Sequence, residues 1–219
     1  MERIFWPIVF MLVFLSFAVS FYFYPQLPEK IPSHWDASGE IDAYANKEVS
    51  LFTIPIVTLL IVLLFIVVPK IDPLKKNYAA FMSYFKGFIL IFVVFMLYLH
   101  ALTIAAGLGF IIKMNYWLMP AISALFLYCS LLLKKAKRNW FVGIRTPWTL
   151  SSDSVWEKTH ALASKLFVLY AILFLFVGFF ELLFLPAIIA IILLVIVLFA
   201  YSYFEYAKEE KEGVKGEKQ

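Results

Sequence analysis

Five long apolar stretches leave this chain one kind of fold. Ile4–Tyr24, Leu51–Pro69, Phe88–Gly107, Trp117–Leu133 and Leu166–Phe204 each run nearly free of charge. A helix crossing a hydrocarbon layer about 30 Å thick needs roughly 20 such residues. The last stretch is 39 residues long, too long for one crossing, and Glu181 and Pro186 interrupt it. It divides into two spans joined by a tight hairpin around Leu185–Pro186, which brings the total to six. Composition excludes the soluble alternative: 63% of residues are hydrophobic, 24 are Phe and only 16% are charged. So much apolar surface cannot all be turned inward. The expected fold is all-α, a polytopic membrane bundle of six helices with a structured extracytoplasmic loop and a cytoplasmic loop containing a short amphipathic helix.

Charge orients this bundle. Sixteen of the nineteen Lys and Arg residues, from Arg3 to the tail lysines, fall on one side, and only Lys30, Lys47 and Lys113 on the other. Positive residues are retained on the cytoplasmic side. Both termini are therefore expected inside, in a multi-pass protein of the cell membrane. The net charge of +4 follows from these basic loops beside an anionic leaflet and calls for no direct nucleic-acid contact. Ala18-Val19-Ser20 resembles a signal-peptidase site, but hydrophobicity continues through Phe23-Tyr24, so the first span reads as an uncleaved anchor. The single cysteine, Cys129, excludes an intrachain disulfide, and the loops must be held by packing. Five segments follow: 1–69, a hairpin of helices with a cap loop at 25–50; 70–133, a central pair; 134–165, a cytoplasmic loop; 166–204, a second hairpin; and 205–219, a charged tail. The tail reads as an extension of span six that frays after Gly213.

The distinctive chemistry sits in two polar loops. Leu27–Lys47 reads LPEKIPSHWDASGEIDAYANK. Two prolines within five residues force extended backbone, and Asp36-Ala37-Ser38-Gly39 has turn chemistry. A compact, partly β-like cap is expected, with Trp35 and Tyr44 at headgroup level. Such a cap can recognise a ligand from outside. His34, Asp36, Glu40 and Asp42 carry donors that suit zinc or manganese. No second histidine stands nearby and no established ligand spacing forms, so the metal question stays open and no cofactor is assigned.

Asn139–His160 reads NWFVGIRTPWTLSSDSVWEKTH. Gly143 and Pro147 bracket Arg145, whose planar fork suits a phosphate or carboxylate. Asp153, Glu157, a lipid phosphate or an acidic helix of another protein are its expected partners. Ser154-Val-Trp-Glu157 has the form of a capping box opening a helix. On that helix Trp156, His160 and Ser164 share a face, directed back toward Arg145 and Trp148. Ser, His and Asp stand together here without the glycine spacing of a nucleophile elbow, so hydrolase chemistry is set aside. Inside the bilayer His100 is the one clear ionisable residue. A neutral imidazole bonded to a neighbouring helix satisfies it, and a proton relay is the alternative.

Both loops resemble one family. The first, with its IP-x-HW core, is similar to the domain of unknown function that opens many SdpI-like proteins. The second, with N-x-x-x-GIRTPWTL and W-x-x-TH, resembles the SdpI signature. The resemblance implies a membrane immunity and signal-transduction protein that protects against a secreted toxic peptide and sequesters a cytosolic winged-helix repressor. His34, Trp35, Asp36 and Gly39 would then belong to the outer, ligand-binding module, Asn139, Gly143, Arg145, Thr146, Pro147, Trp148, Trp156 and His160 would form the partner-binding signature, and no catalysis is implied. A small transporter or lipid-handling protein is the second reading. A membrane-embedded metalloenzyme built on His34 and Asp36 is the third.

Overall fold

The computed structural model describes the backbone of residues 2–216 and the side chains of residues 4–212. Arg3, Lys215 and Lys218, counted above in the charge bias, lie outside the described side chains. Seven helices and a two-stranded hairpin follow in order: α1 (Glu2–Phe23), β1 (Lys30–Trp35), β2 (Ile41–Asn46), α2 (Lys47–Ile71), α3 (Met82–Gly107), α4 (Met114–Lys135), α5 (Pro147–Ser151), α6 (Asp153–Val177) and α7 (Phe184–Gly216). All but α5 are long and apolar enough to cross a membrane. Backbone N–H and C=O groups have no water to bond within lipid, so each crossing must be a helix. An even number of crossings leaves both chain ends on the side opposite the β-hairpin. We call the two sides the cap side and the tail side.

The helices pack in two groups. α1, α2 and α3 contact one another, α3 touches α4, and α4 lies along α6, which in turn carries α7. A large apolar cluster near the tail side joins Val9, Val62, Tyr78, Phe85 and Trp156. A smaller one at the cap side packs Leu27 and Ile31 against Leu51 and Ile104. The outward faces of the spanning helices, rich in exposed Leu, Ile, Val and Phe, are the surface the bilayer would cover.

Three boundaries differ from the sequence reading. The fifth span does not begin at Leu166; α6 starts at Asp153 and continues unbroken through the membrane. Ser152, rather than Ser154, caps it, its hydroxyl accepting from the Val155 amide at 3.2 Å. The short separate helix of the tail-side loop is α5. The last hairpin turns through Gly178–Leu183, before Leu185–Pro186. Pro186 falls in the first turn of α7, where its missing N–H would have had no partner in any case. The tail stays helical to Gly216, past Gly213, and residues 217–219 lie outside the described residues.

His100 is fully buried where α1, α2 and α3 meet. Its Nε2 lies 2.9 Å from Ser20 Oγ. That hydroxyl also reaches the carbonyls of Ser16 at 3.0 Å and Leu51 at 2.9 Å. Both carbonyls can only accept, so the single hydroxyl proton is committed to them and His100 Nε2–H is the donor to Ser20. The imidazole is therefore bonded across helices, as expected. Replacing Ser20 by Val would leave the His100 N–H without an acceptor. The variant should lose about 1–2 kcal/mol of stability, read as a lowered midpoint of thermal unfolding in detergent. The wild-type midpoint in Ser20→Val would show that this bond holds nothing.

Candidate functional site

On the tail side the loop between α4 and α6 is tied down by a dense set of side-chain bonds. Gly143 adopts φ +120°, a conformation L side chains rarely take. A Cβ there would overlap His160 Nε2 and press on the Trp156 ring. The absent side chain lets the loop backbone lie directly on α6. His160 Nδ1 lies 2.8 Å from the Trp156 carbonyl, and its Nε2 lies 3.0 Å from the Ile144 amide nitrogen. A carbonyl accepts and an amide donates, so Nδ1 carries the proton and Nε2 is the acceptor. The Trp156 indole stacks on this imidazole at 4.0 Å, and its N–H donates to the Ala136 carbonyl at the end of α4.

Asn139, fully buried, organises the preceding turn. Its Oδ1 accepts from the amides of Phe141 at 2.9 Å and Val142 at 2.6 Å, and its Nδ2 donates to the carbonyls of Lys137 and Val142. Thr146 and Thr149 cap α5 reciprocally, and Pro147 follows as the first helical residue. Thr146 Oγ1 lies 2.9 Å from Ser202 Oγ of α7. Trp148 sets its ring edgewise between Phe199 and Tyr203 of α7. The signature thus divides: Asn139, Gly143, Trp156 and His160 fasten the loop to α4 and α6, while Thr146 and Trp148 fasten α5 to α7 and Pro147 opens α5. Trp156 and His160 do not point toward Trp148.

Arg145 stands apart from both groups. It is exposed and spends one donor on the Trp140 carbonyl at 2.8 Å. Its expected intrachain partners are taken: Asp153 lies 2.8 Å from Arg138 Nε, and Glu157 2.6 Å from Lys137 Nζ. Trp140 and Phe141, half and more than a third exposed, flank it. Among the described residues its other N–H donors have no partner, so the arrangement presents an aromatic, cationic patch suited to a carboxylate or phosphate.

Sequence reasoning missed the residue that anchors this loop from beyond it. Asp72, 2% exposed at the end of α2, accepts from the Trp140 amide at 2.9 Å, the Leu74 amide at 2.7 Å and the Tyr78 hydroxyl at 3.3 Å. Burial pushes the Tyr78 hydroxyl pKa well up, and the Asp72 charge adds to it. Asn77 donates to the Arg138 carbonyl at 2.7 Å. One signal was present: Asp72 is a lone acid inside the basic run Pro69–Lys76.

At the cap side β1 and β2 pair antiparallel, with irregular register around His34. Asp36 Oδ1 accepts from the Ser38 hydroxyl at 2.6 Å and from the Ser38 and Glu40 amides. These bonds, the Ser38 hydroxyl foremost, hold its carboxyl below the usual 3.8. Gly39, at φ +83°, closes the turn. The tip is bolted to α4: Met114 N–H donates to the Gly39 carbonyl at 3.1 Å and Asn115 Nδ2 to the Ala37 carbonyl at 2.6 Å. His34 pairs with Asp42 at 2.6 Å, whereas Asp36 faces its own turn. Trp35 is half-buried, and among the described residues its indole N–H has no partner. Among the described residues no three His, Cys, Asp or Glu converge on a metal position.

The SdpI/YfhL protein family matches residues 135–203, which hold the whole tail-side loop, α6 and most of α7. That match covers less than half of the chain. The domain of unknown function DUF1648 matches residues 11–59, spanning the cap hairpin. The chain is 27% identical over 198 residues to the Immunity protein SdpI of Bacillus subtilis (strain 168), covering 89% of this chain and 93% of that protein. No solved structure matches. The protein is thus a multi-pass membrane protein with similarity to the SdpI/YfhL family, as its loops suggested.

Two predictions test the geometry. Gly143→Ala forces a side chain into the His160 contact at positive φ, and should cost about 2–4 kcal/mol; thermal unfolding in detergent measures it, and an unshifted midpoint refutes the contact. Asp36 has a lowered pKa in the folded cap, so its stabilisation is complete above the ordinary value of 3.8 and is lost as pH falls below it. Hydrogen exchange at the Ser38 and Glu40 amides, corrected for intrinsic rates, should quicken on that acid limb. Asp36→Asn should flatten the dependence.

Proposed function

We propose that this protein is a membrane receptor of the immunity type, with the cap outside the cell and both chain ends in the cytoplasm. The cap, including His34, Trp35, Asp36 and Gly39, meets an extracellular peptide. The Arg145 patch with Trp140 and Phe141 engages a cytosolic regulator, of the winged-helix repressor kind that the family resemblance implies. The name of the Bacillus subtilis relative supports the immunity part. The lysine and arginine bias supports the orientation.

One observation carries the receptor reading: a continuous strut joins the two loops. The first turn of α4 holds the cap tip, and the carbonyl that ends α4, Ala136, holds Trp156. Between them α4 is laced to α6 by Ser123 Oγ donating to the Ala171 carbonyl at 2.6 Å and by Ser130 Oγ, 3.1 Å from Ser164 Oγ. A ligand that shifts the cap tip therefore acts on the same helix pair that positions the tail-side loop. Such a ligand must bind one arrangement of that pair better than the other.

Growth of a Bacillus subtilis strain lacking its Immunity protein SdpI, cultured beside the wild-type strain, tests protection. This chain should restore growth, and failure to do so while inserted in the membrane overturns the immunity reading. Capture of cytosolic proteins on the purified protein tests the output. A DNA-binding protein retained by wild type should be lost with Arg145→Ala; equal retention by both removes Arg145 from the interface. A transporter is the second reading, favoured by the buried His100 Nδ1, which has no partner among the described residues. Flux in proteoliposomes abolished by His100→Leu would select it.

A further inference from the structure

A cleft of about 320 Å³ opens on the cap side, between the hairpin tip and the α6–α7 turn. Ser38 borders it from the hairpin, Asn115 and Tyr116 from α4, and Phe179, Phe180 and Glu181 from the turn. The Tyr116 and Phe179 rings lie 5.9 Å apart. Asn115 is 6% exposed and commits its amide N–H to the Ala37 carbonyl; among the described residues no donor reaches its Oδ1. The cleft thus has aromatic walls and polar groups able to accept, with a carboxylate at the rim.

Charge selects the occupant. The cap side carries six carboxylates, Glu29, Asp36, Glu40, Asp42, Glu48 and Glu181, against three lysines. Most of these acids are already engaged. Lys47 pairs with Glu29 at 3.2 Å and Lys113 with Glu40 at 3.4 Å. Tyr24 donates to Glu48 at 2.7 Å, His34 meets Asp42, and Asp36 is held in its turn. Glu181 alone of the six has a side chain without an ion pair or hydrogen bond among the described residues. A cation on an aliphatic stem satisfies each element: the stem against the aromatic rings, the charge over a ring face or on Glu181, and its N–H groups on Ser38 and Asn115. An acidic segment would meet the Glu181 carboxylate, unpaired among the described residues, at the cleft and a net negative cap side.

We propose that this cleft receives a lysine or arginine side chain of a cationic, amphipathic peptide at the membrane surface. The proposal rests on the receptor reading and sharpens it, because it names the chemistry of the ligand and moves its seat from the hairpin residues to the junction of hairpin tip and α6–α7 turn. That junction bears directly on the first turn of α4, the end of the strut. His34 and Trp35 then shape the hairpin, while Glu181, Tyr116 and Phe180 make the contact.

The full chain in phosphatidylcholine nanodiscs, free of anionic lipid, is titrated with a fluorescein-labelled dodecapeptide of alternating Leu and Lys. A Leu–Glu dodecapeptide is the control. The Leu–Lys peptide should bind and the Leu–Glu peptide should not. Glu181→Gln should weaken binding about fivefold, and Glu181→Lys should weaken it further. Lys113→Ala, which removes a competing cation, should leave it equal or stronger. Equal binding of both peptides, binding indifferent to both Glu181 variants, or equal uptake by empty phosphatidylcholine discs overturns the proposal. Glu181 is exposed, so neither variant threatens the fold. The protection assay run on Glu181→Gln separates the two readings. Lost peptide binding with protection intact keeps the cleft and removes its part in immunity, whereas lost binding with lost protection joins them.

Discussion

The tail-side loop depends on a contact that only a residue without a side chain permits, the approach of Gly143 to His160. In a membrane protein the irregular segments lie outside the lipid, and nothing in the bilayer holds them in place. Here a neutral histidine accepts from the loop backbone and donates to its own helix, while the tryptophan one turn away covers it and reaches the end of α4. No disulfide is available to a chain with one cysteine, so short hydrogen bonds at a close-packed glycine supply the fixation. Asp72 and Asn139 extend the same logic to the flanking turn, each spending a carbonyl-type oxygen on backbone amides that would otherwise be orphaned.

Both loops are fastened by side-chain amides or carboxylates that bond backbone, and both are fastened to the same helix pair. The hairpin tip hangs on the start of α4, and the signature loop hangs on its end. Hydrogen bonds from serines on α4 toward α6 keep the two helices in register across the hydrocarbon. α3 meets α4 through tyrosines instead, Tyr98 donating to the Trp117 carbonyl and Tyr128 to the Tyr84 carbonyl. The bundle is accordingly two groups of helices with different bonding: a buried histidine–serine centre among α1, α2 and α3, and a serine-laced strut in α4 and α6.

Much of this was legible in the sequence, because lipid makes simple demands. Span number follows from length and hydropathy, and the turn at Asp36–Gly39 follows from residue chemistry. The partner helix of His100 was foreseeable in kind, since a buried imidazole must find one. The start of α6 was not foreseeable: hydropathy marks where a helix enters lipid, and Asp153–Lys165 is polar enough to pass for loop although it is helix throughout. The Leu185–Pro186 turn failed for the opposite reason, since a proline that breaks a helix interior is welcome in a first turn. Asp72 escaped notice because its partner, the Trp140 amide, is a backbone group far along the chain, and no spacing rule reports such a pairing. The pairing of Trp148 with α7, rather than with Trp156, was equally hidden, because two tryptophans one loop apart give no sign of which helix each will cover.

The joining of α5 to α7 bears on the order in which the molecule is made. Thr146 and Trp148 leave the ribosome well before Ser202, Phe199 and Tyr203, and apart from the Thr146–Thr149 cap their side-chain partners among the described residues lie on α7. Until the sixth helix has been threaded into the bilayer, Thr146 lacks its hydroxyl partner on α7 and one face of Trp148 stays uncovered. Completion of the signature loop is therefore a late event of biogenesis, and a truncated or half-inserted chain displays a loop different from that of the finished protein. Any quality-control factor that samples this surface would be reading whether translation and insertion had reached their end.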